Sequence, residues 1–190
     1  MCGLHFPNGV EIDQSGTKLL LVESLRFRVL EVNLDALSTR PDDLREGMPP
    51  SLVDALEFCG EDEVLPSGVR IFAKAMPGFV DNLEFNHELG GYVAGVGTKV
   101  TKPFSPLHLT LQKPGVIRTT LGKLFPIEIL DKLAPNYGLV VVLGLDGSIK
   151  ESMHDNTGRT AFVSSAFRSS KSGYTFLGSS QNFYLGRVRL

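Results

Sequence analysis

The sequence predicts an all-β chain assembled from repeated strand–turn–strand units, the organisation of a β-propeller or a related β array. Composition is the first reason: the 190 residues carry 20 Gly, 11 Pro and 12 Phe and no Trp, which favours many short strands broken by turns over long helices. Internal similarity is the second. From Phe6 the chain reads F-P-N-G-V-E-I-D and from Phe79 it reads F-V-D-N-L-E-F-N, the same pattern without a gap, and a weaker third copy, F-V-S-S-A-F, begins at Phe162. The third reason is the turn and apolar strand after each copy. Ser15-Gly16 leads into an apolar strand at Leu19 to Val22, Gly90-Gly91 into Tyr92 to Val96, and Ser172-Gly173 into Tyr174 to Leu177. A unit that recurs at large, irregular spacing is the mark of a repeat architecture.

The remaining strands are read from alternation and turn chemistry. In the first unit, Arg28 to Leu34 alternates as a third strand should, and Val69 to Lys74 supplies a fourth after an insertion. In the second, Leu139 to Leu145 is a strongly apolar strand, Asp146-Gly147 is a hairpin turn, and Ser148 to Met153 returns. In the third, Phe183 to Leu190 comes after the strand at Tyr174. The expected count is four, four and three strands, about two and three-quarter blades, where a closed ring has about four to eight blades of four strands. Such a piece leaves sheet edges open, so the expectation is truncation of a longer ring, or edges hidden by self-association or by flanking segments.

One partial propeller domain is expected over residues 1–190, interrupted at 41–63 and 102–136. The first insertion holds eight acidic residues against one basic residue, Arg45, with helical spacing from Ser51 to Phe58 and Ser51 placed as an N-cap. It reads as a solvated surface excursion. The second is broken by Pro103, Pro106, Pro114, Pro126 and Pro135, and its apolar spacing over Val116 to Leu133 reads as two short helices capping one face of the sheets.

Charge and hydropathy exclude several partners. Nineteen Lys and Arg against 21 Asp and Glu leave a net charge of -2, which gives no footprint for nucleic acid or anionic lipid. No run of about eighteen apolar residues exists, and the first turn and charges come too early for a signal peptide. Cys2 and Cys59 are too few for a disulfide framework and are not spaced as a metal clip.

The repeat register puts Asn8, Asp81 and Ser164 at equivalent places on the first strand of each unit, with Gly9, Asn82 and Ser165 beside them. In a propeller that strand is innermost, so oxygens from successive units converge near the axis. Asn and Asp oxygens are hard ligands suited to Ca²⁺. Asn8-Gly9 and Asp81-Asn82 are equally ordinary turn formers, and spacing alone leaves both readings standing.

The segments F-P-N-G-V at Phe6, L-L-V-E-S-L-R-F-R-V-L at Leu20, M-P-G-F-V-D-N-L at Met76, G-G-Y-V-A-G at Gly90 and S-M-H-D-N-T-G at Ser152, with T-F-L-G-S and Y-L-G-R-V-R-L near the end, resemble the strictosidine synthase-like family. Paraoxonases and gluconolactonases are more distant relatives. The resemblance implies an incomplete six-bladed β-propeller corresponding to the family's C-terminal half. It implies an axial calcium held by Asn8 and Asp81, with Asn82 as a further ligand, that polarises an ester or lactone carbonyl for attack by water. Asp81, the one ionisable member, would be ligand first and catalytic base second. It also implies that the membrane-anchoring or secretory segment common in the family lies outside this chain.

The chain departs from that pattern in two ways. The family's further ligands, including a Glu, precede Phe6, and two or three oxygens make a weak calcium site. The Glu on which strictosidine synthase relies would fall near Val163-Ser164-Ser165-Ala166, and no Asp or Glu occurs after Asp155, so strictosidine synthesis is not expected. His5, His87, His108 and His154 show no metal-ligand spacing; His154, within H-D-N-T-G, reads as turn chemistry. Ser164 and Ser165 lack a G-x-S-x-G context. The functions in contention are a calcium-dependent, arylesterase-like hydrolase of small esters or lactones, a non-catalytic propeller remnant acting as an interaction module, and an inactive truncated product.

Overall fold

A computed structural model describes residues 4–37, 65, 67–100, 120, 135–169 and 171–189. Three antiparallel sheets fill it. The first comprises β1 (Pro7–Ile12), β2 (Lys18–Glu23), β3 (Arg28–Asn33) and β4 (Val69–Ala73), in that order. The second comprises β5 (Gly78–Asn86), β6 (Gly91–Lys99), β7 (Gly138–Gly144) and β8 (Ile149–Asp155), also in chain order. The third has β9 (Val163–Ser169), β10 (Tyr174–Ser179) and β11 (Gly186–Arg189). A 3-10 turn at Ser24–Arg26 and a four-residue helix, Leu34–Leu37, complete the described elements. The chain is thus mostly β, with the first strands of the three sheets in mutual contact, β1 against β5 and β5 against β9. This arrangement is compatible with part of a propeller. Both expected insertions fall almost entirely outside the described residues, as do Cys2 and Cys59.

Side-chain alternation explains why the sheets stack. On β6, Tyr92, Ala94 and Val96 face the first sheet and join Leu20, Val22 and Val29, while Val93 faces the third sheet and meets Val163, Ala166 and Leu177. On β7, Leu139, Val141 and Leu143 turn one way and Val140 the other. That double duty is why the second sheet's central strands lose the polar alternation of a half-buried strand: every residue of β7 is buried. Each fully buried Val or Leu there contributes about 1.5–3 kcal/mol of transfer free energy.

Three of the strand ends that differ from expectation are set by side-chain hydrogen bonds. β3 stops at Asn33, whose side-chain oxygen accepts the Asp35 N–H at 2.9 Å and starts the short helix that takes Leu34. β11 begins at Gly186 rather than Phe183: Ser179 Oγ accepts the N–H groups of Gln181 and Asn182, and Asn182 Nδ2 donates to Ala161 O at 2.8 Å, so the segment before β11 is held as a turn. β8 runs on to Asp155, which corrects the reading of His154 as a turn residue. The turn starts one residue later, where the Asp155 carboxylate accepts from both N–H and Oγ1 of Thr157 and of Thr160. Those four bonds favour the charged carboxylate and hold its pKa well below the 3.8 of an ordinary aspartate.

A buried charge cluster ties the start of β1 to the end of β2. Glu23 has no exposed surface. Its carboxylate accepts the His5 N–H at 2.7 Å and Arg28 Nε at 2.6 Å, and Arg26 Nε lies 3.6 Å away. Removing one member of such a group leaves the others charged and dry, which costs far more than the net worth of the pair. Glu23→Ala is therefore expected to lower unfolding free energy by about 3–5 kcal/mol, read from the urea midpoint at unchanged slope, with Glu23→Gln losing less because it keeps the volume and one acceptor.

Candidate functional site

The three first strands carry the same defect at the same repeat position. Against β2, β1 pairs Pro7 with Glu23 and next Val10 with Leu21, so Asn8 and Gly9 bulge. Against β6, β5 pairs Val80 with Val96 and next Leu83 with Ala94, so Asp81 and Asn82 bulge. Against β10, β9 pairs Val163 with Ser179 and Ser165 with Gly178, leaving Ser164 out of register. A bulge re-aims the side chains it displaces and is common beside functional sites. Two of the copies also enter their strand through a left-handed phenylalanine, Phe6 at φ 57 and Phe162 at φ 56. For bulky residues this backbone is costly and needs surrounding structure to hold it.

The bulges touch. A Cβ built on Gly9 would lie 2.6 Å from both Asn82 Cα and Asp81 O, and one on Gly95 would lie 2.7 Å from Ser164 C. Only glycine permits the first approach, between the first and second units, and the second, between the second and third. Across the contacts runs a polar chain. Ser24 Oγ donates to Val80 O at 2.6 Å and lies 3.5 Å from Asn8 Nδ2. The Asn8 side chain hydrogen-bonds the Asp81 carboxylate. Asn82 Nδ2 lies 3.3 Å from Asp81 Oδ1 and donates to Ser164 O at 3.1 Å. Asn8, Asp81 and Asn82 are thus brought together as the repeat register predicts, whereas Ser164 takes part through its main-chain carbonyl. Partial burial pushes the Asp81 carboxyl above its usual value, opposed by the hydrogen bond from Asn8.

Of the cluster, Asn82 lines a cleft of about 360 Å³ together with Ser165 and, further along, Glu11, Glu84, Phe85 and His87. Glu84 is shifted upward by desolvation and then by the like charge of Glu11; Glu11 Oε1 accepts the Phe85 N–H at 3.4 Å. Sequence reasoning missed this pair although the signal was present: Glu11 and Glu84 occupy the same offset from Phe6 and Phe79, in N-G-V-E and D-N-L-E.

The donors suit calcium in kind, with one carboxylate, two side-chain amides and a nearby main-chain carbonyl, all hard oxygen ligands. They fall short in number, and among the described residues no three His, Cys, Asp or Glu side chains gather as a metal group. Three side-chain oxygen donors are fewer than the about six to eight that calcium takes.

No protein-family model matches the chain. It is similar over nearly its whole length to adipocyte plasma membrane-associated protein: 29% identical to that of Gallus gallus over 100% of this chain and 39% of that protein, 28% to that of Rattus norvegicus over 98% and 42%, and 29% to that of Homo sapiens over 98% and 38%. The chain spans about two fifths of the length of these relatives. The resemblance to the strictosidine synthase-like family read from its motifs is thereby supported. No described helix is long and apolar enough to cross a membrane.

A carboxyl whose folded value is raised opposes folding while it is ionised, and that opposition disappears as pH falls through the raised value. Asp81→Asn keeps an acceptor for Asn8 and removes the charge. Without added metal it is expected to melt above the parent chain at neutral pH, the difference closing as the pH is lowered into the carboxylate range, as followed by differential scanning calorimetry. Gly9→Ala is expected to melt below the parent at every pH, because its Cβ displaces the Asp81–Asn82 backbone.

Proposed function

We propose that this chain forms about two and three-quarter blades of a six-bladed propeller, and that Asn8, Asp81 and Asn82 are one side of an axial calcium site serving hydrolysis of a small ester or lactone. The observation that carries this reading is the meeting of side chains from two sequence repeats, Asn8 and Asp81, in one hydrogen-bonded cluster beside an open cleft. A calcium ion bound there would polarise a carbonyl as a Lewis acid. Asn8 and Asn82 would orient the Asp81 carboxylate through the bonds they already make to it, and Asp81, whose proton affinity burial raises, would accept a proton from water. The cleft gives room for the substrate along β5. Strictosidine synthesis is not part of the proposal, since the β9 bulge carries Ser164 and Ser165 and no Asp or Glu occurs after Asp155.

A second reading, an interaction module, draws on a different observation. Phe183, Tyr184 and Leu185 are exposed immediately before β11, and β11 is the edge of a three-stranded sheet. An open edge beside apolar side chains is a template for strand pairing.

Thermal melting separates the two. If the calcium reading holds, millimolar calcium but not magnesium raises Tm by about 2–4 °C for each kcal/mol of binding free energy in a chain of this size, and Asp81→Ala abolishes the shift. A melting curve indifferent to calcium would end that reading, and sedimentation of the chain as a stable oligomer would then favour the module.

A further inference from the structure

A second chemically capable group lies away from the inner strands, on β8. Strand geometry puts Ser152 and His154 on one face of β8, two residues apart. Ser152 Oγ lies 2.8 Å from His154 Nε2, and His154 Nδ1 lies 2.9 Å from Tyr137 Oη. Tyr137 comes from the residue before β7, whose Leu139 pairs with His154 and Val141 with Ser152. The ring of Tyr137 packs on the core between the first two sheets and is capped by Lys99 Nζ at 3.3 Å from its centroid. Tyr137 and His154 meet edge to face at 70°. The next residue, Asp155, is fixed by its four bonds to Thr157 and Thr160. The imidazole is thus held from both ends at the surface of β8.

This is the arrangement of an activated hydroxyl: a nucleophile on a base, and the base oriented by a third group. We propose that Ser152 is a nucleophile toward activated aryl esters, with His154 as its general base and Tyr137 as a positioning residue, independent of calcium and of the Asp81 cluster. The neutral imidazole carries its proton on Nδ1 and donates it in a hydrogen bond to Tyr137 Oη, which leaves Nε2 free to accept. Ser152 Oγ attacks the carbonyl carbon and its proton passes to His154 Nε2. The C–O bond to the aryl oxide then breaks, and the imidazolium gives its proton to the departing oxygen. Water attacks the acyl-Ser152 ester with His154 again as base, releasing the carboxylic acid and restoring the hydroxyl.

The experiment uses the full chain with p-nitrophenyl acetate in the presence of EGTA, monitoring nitrophenol release and locating the acetyl group by peptide mass spectrometry. The expected result is an acetyl adduct on Ser152. Ser152→Ala should abolish it, and His154→Gln should slow it by about a hundredfold. Tyr137→Phe should slow the reaction severalfold through kcat with KM unchanged, which a merely structural tyrosine would not do. As a second probe, Ser152→Cys should react with iodoacetamide faster with His154 present than in the Ser152→Cys, His154→Gln pair. Acetylation spread over lysines with none on Ser152, or a rate indifferent to His154 in both assays, would overturn the proposal. Loss of the calcium-dependent melting shift would bear only on the axial site.

Discussion

The arrangement of this protein depends on how closely its first strands approach one another. Two glycines set that distance. Gly9, on β1, lies against the Asp81–Asn82 backbone of β5, and Gly95, on β6 opposite the β5 bulge, lies against Ser164 of β9, so the three units meet with no side chain wedged between them at these points. Had either position carried a Cβ, the sheets would separate, and the packing of Tyr92, Ala94 and Val96 on one side and Val93 on the other would loosen with them. The close approach also brings Asn8 to Asp81 and Asn82 to Ser164 O. Packing and polar convergence are therefore one constraint, met twice along the chain.

That constraint has an electrostatic cost. Bringing Asp81 into the junction strips water from a carboxylate whose partners among the described residues are amides, and raises its proton affinity. Glu23 makes the contrast. It is more deeply buried, yet it is surrounded by Arg26, Arg28 and the His5 N–H, a set of donors that completes its coordination as a structural anion. The side chains that bond Asp81, Asn8 and Asn82, are both neutral. Among the described residues Asp81 has only neutral side-chain donors, whereas the charge of Glu23 is balanced by its arginines.

Much of the fold was legible because repetition shows at the level of single residues. The F-P-N-G and F-V-D-N copies gave the first strands, the turn signals gave the second, and alternation gave β3 and β4. The apolar run at Leu139 gave β7, since a strand packed on both faces has no polar side to display. Less legible were strand ends decided by side-chain bonds: Asn33 ending β3, Ser179 and Asn182 delaying β11, and Asp155 extending β8. These depend on where one oxygen points, which neither alternation nor propensity encodes. Of the candidate site, the convergence of Asn8 and Asp81 was readable from register. The switch of Ser164 from side chain to carbonyl was not, because it arises from the bulge itself.

His154 shows how such a strand end changes chemistry. Read as part of H-D-N-T-G it belongs to a turn, where its ring would have no fixed direction. Placing the turn after Asp155 puts His154 in β8, and period-two geometry then brings Ser152 to the same face. The register with β7 places Leu139 opposite His154, which leaves Tyr137, two residues before it, able to reach Nδ1. No motif of serine nucleophiles surrounds Ser152 in the sequence. The pairing arises from strand geometry alone, so it can be recognised only after the boundary is known. The four hydrogen bonds to Asp155 set that boundary, and through it they set the direction in which the imidazole faces.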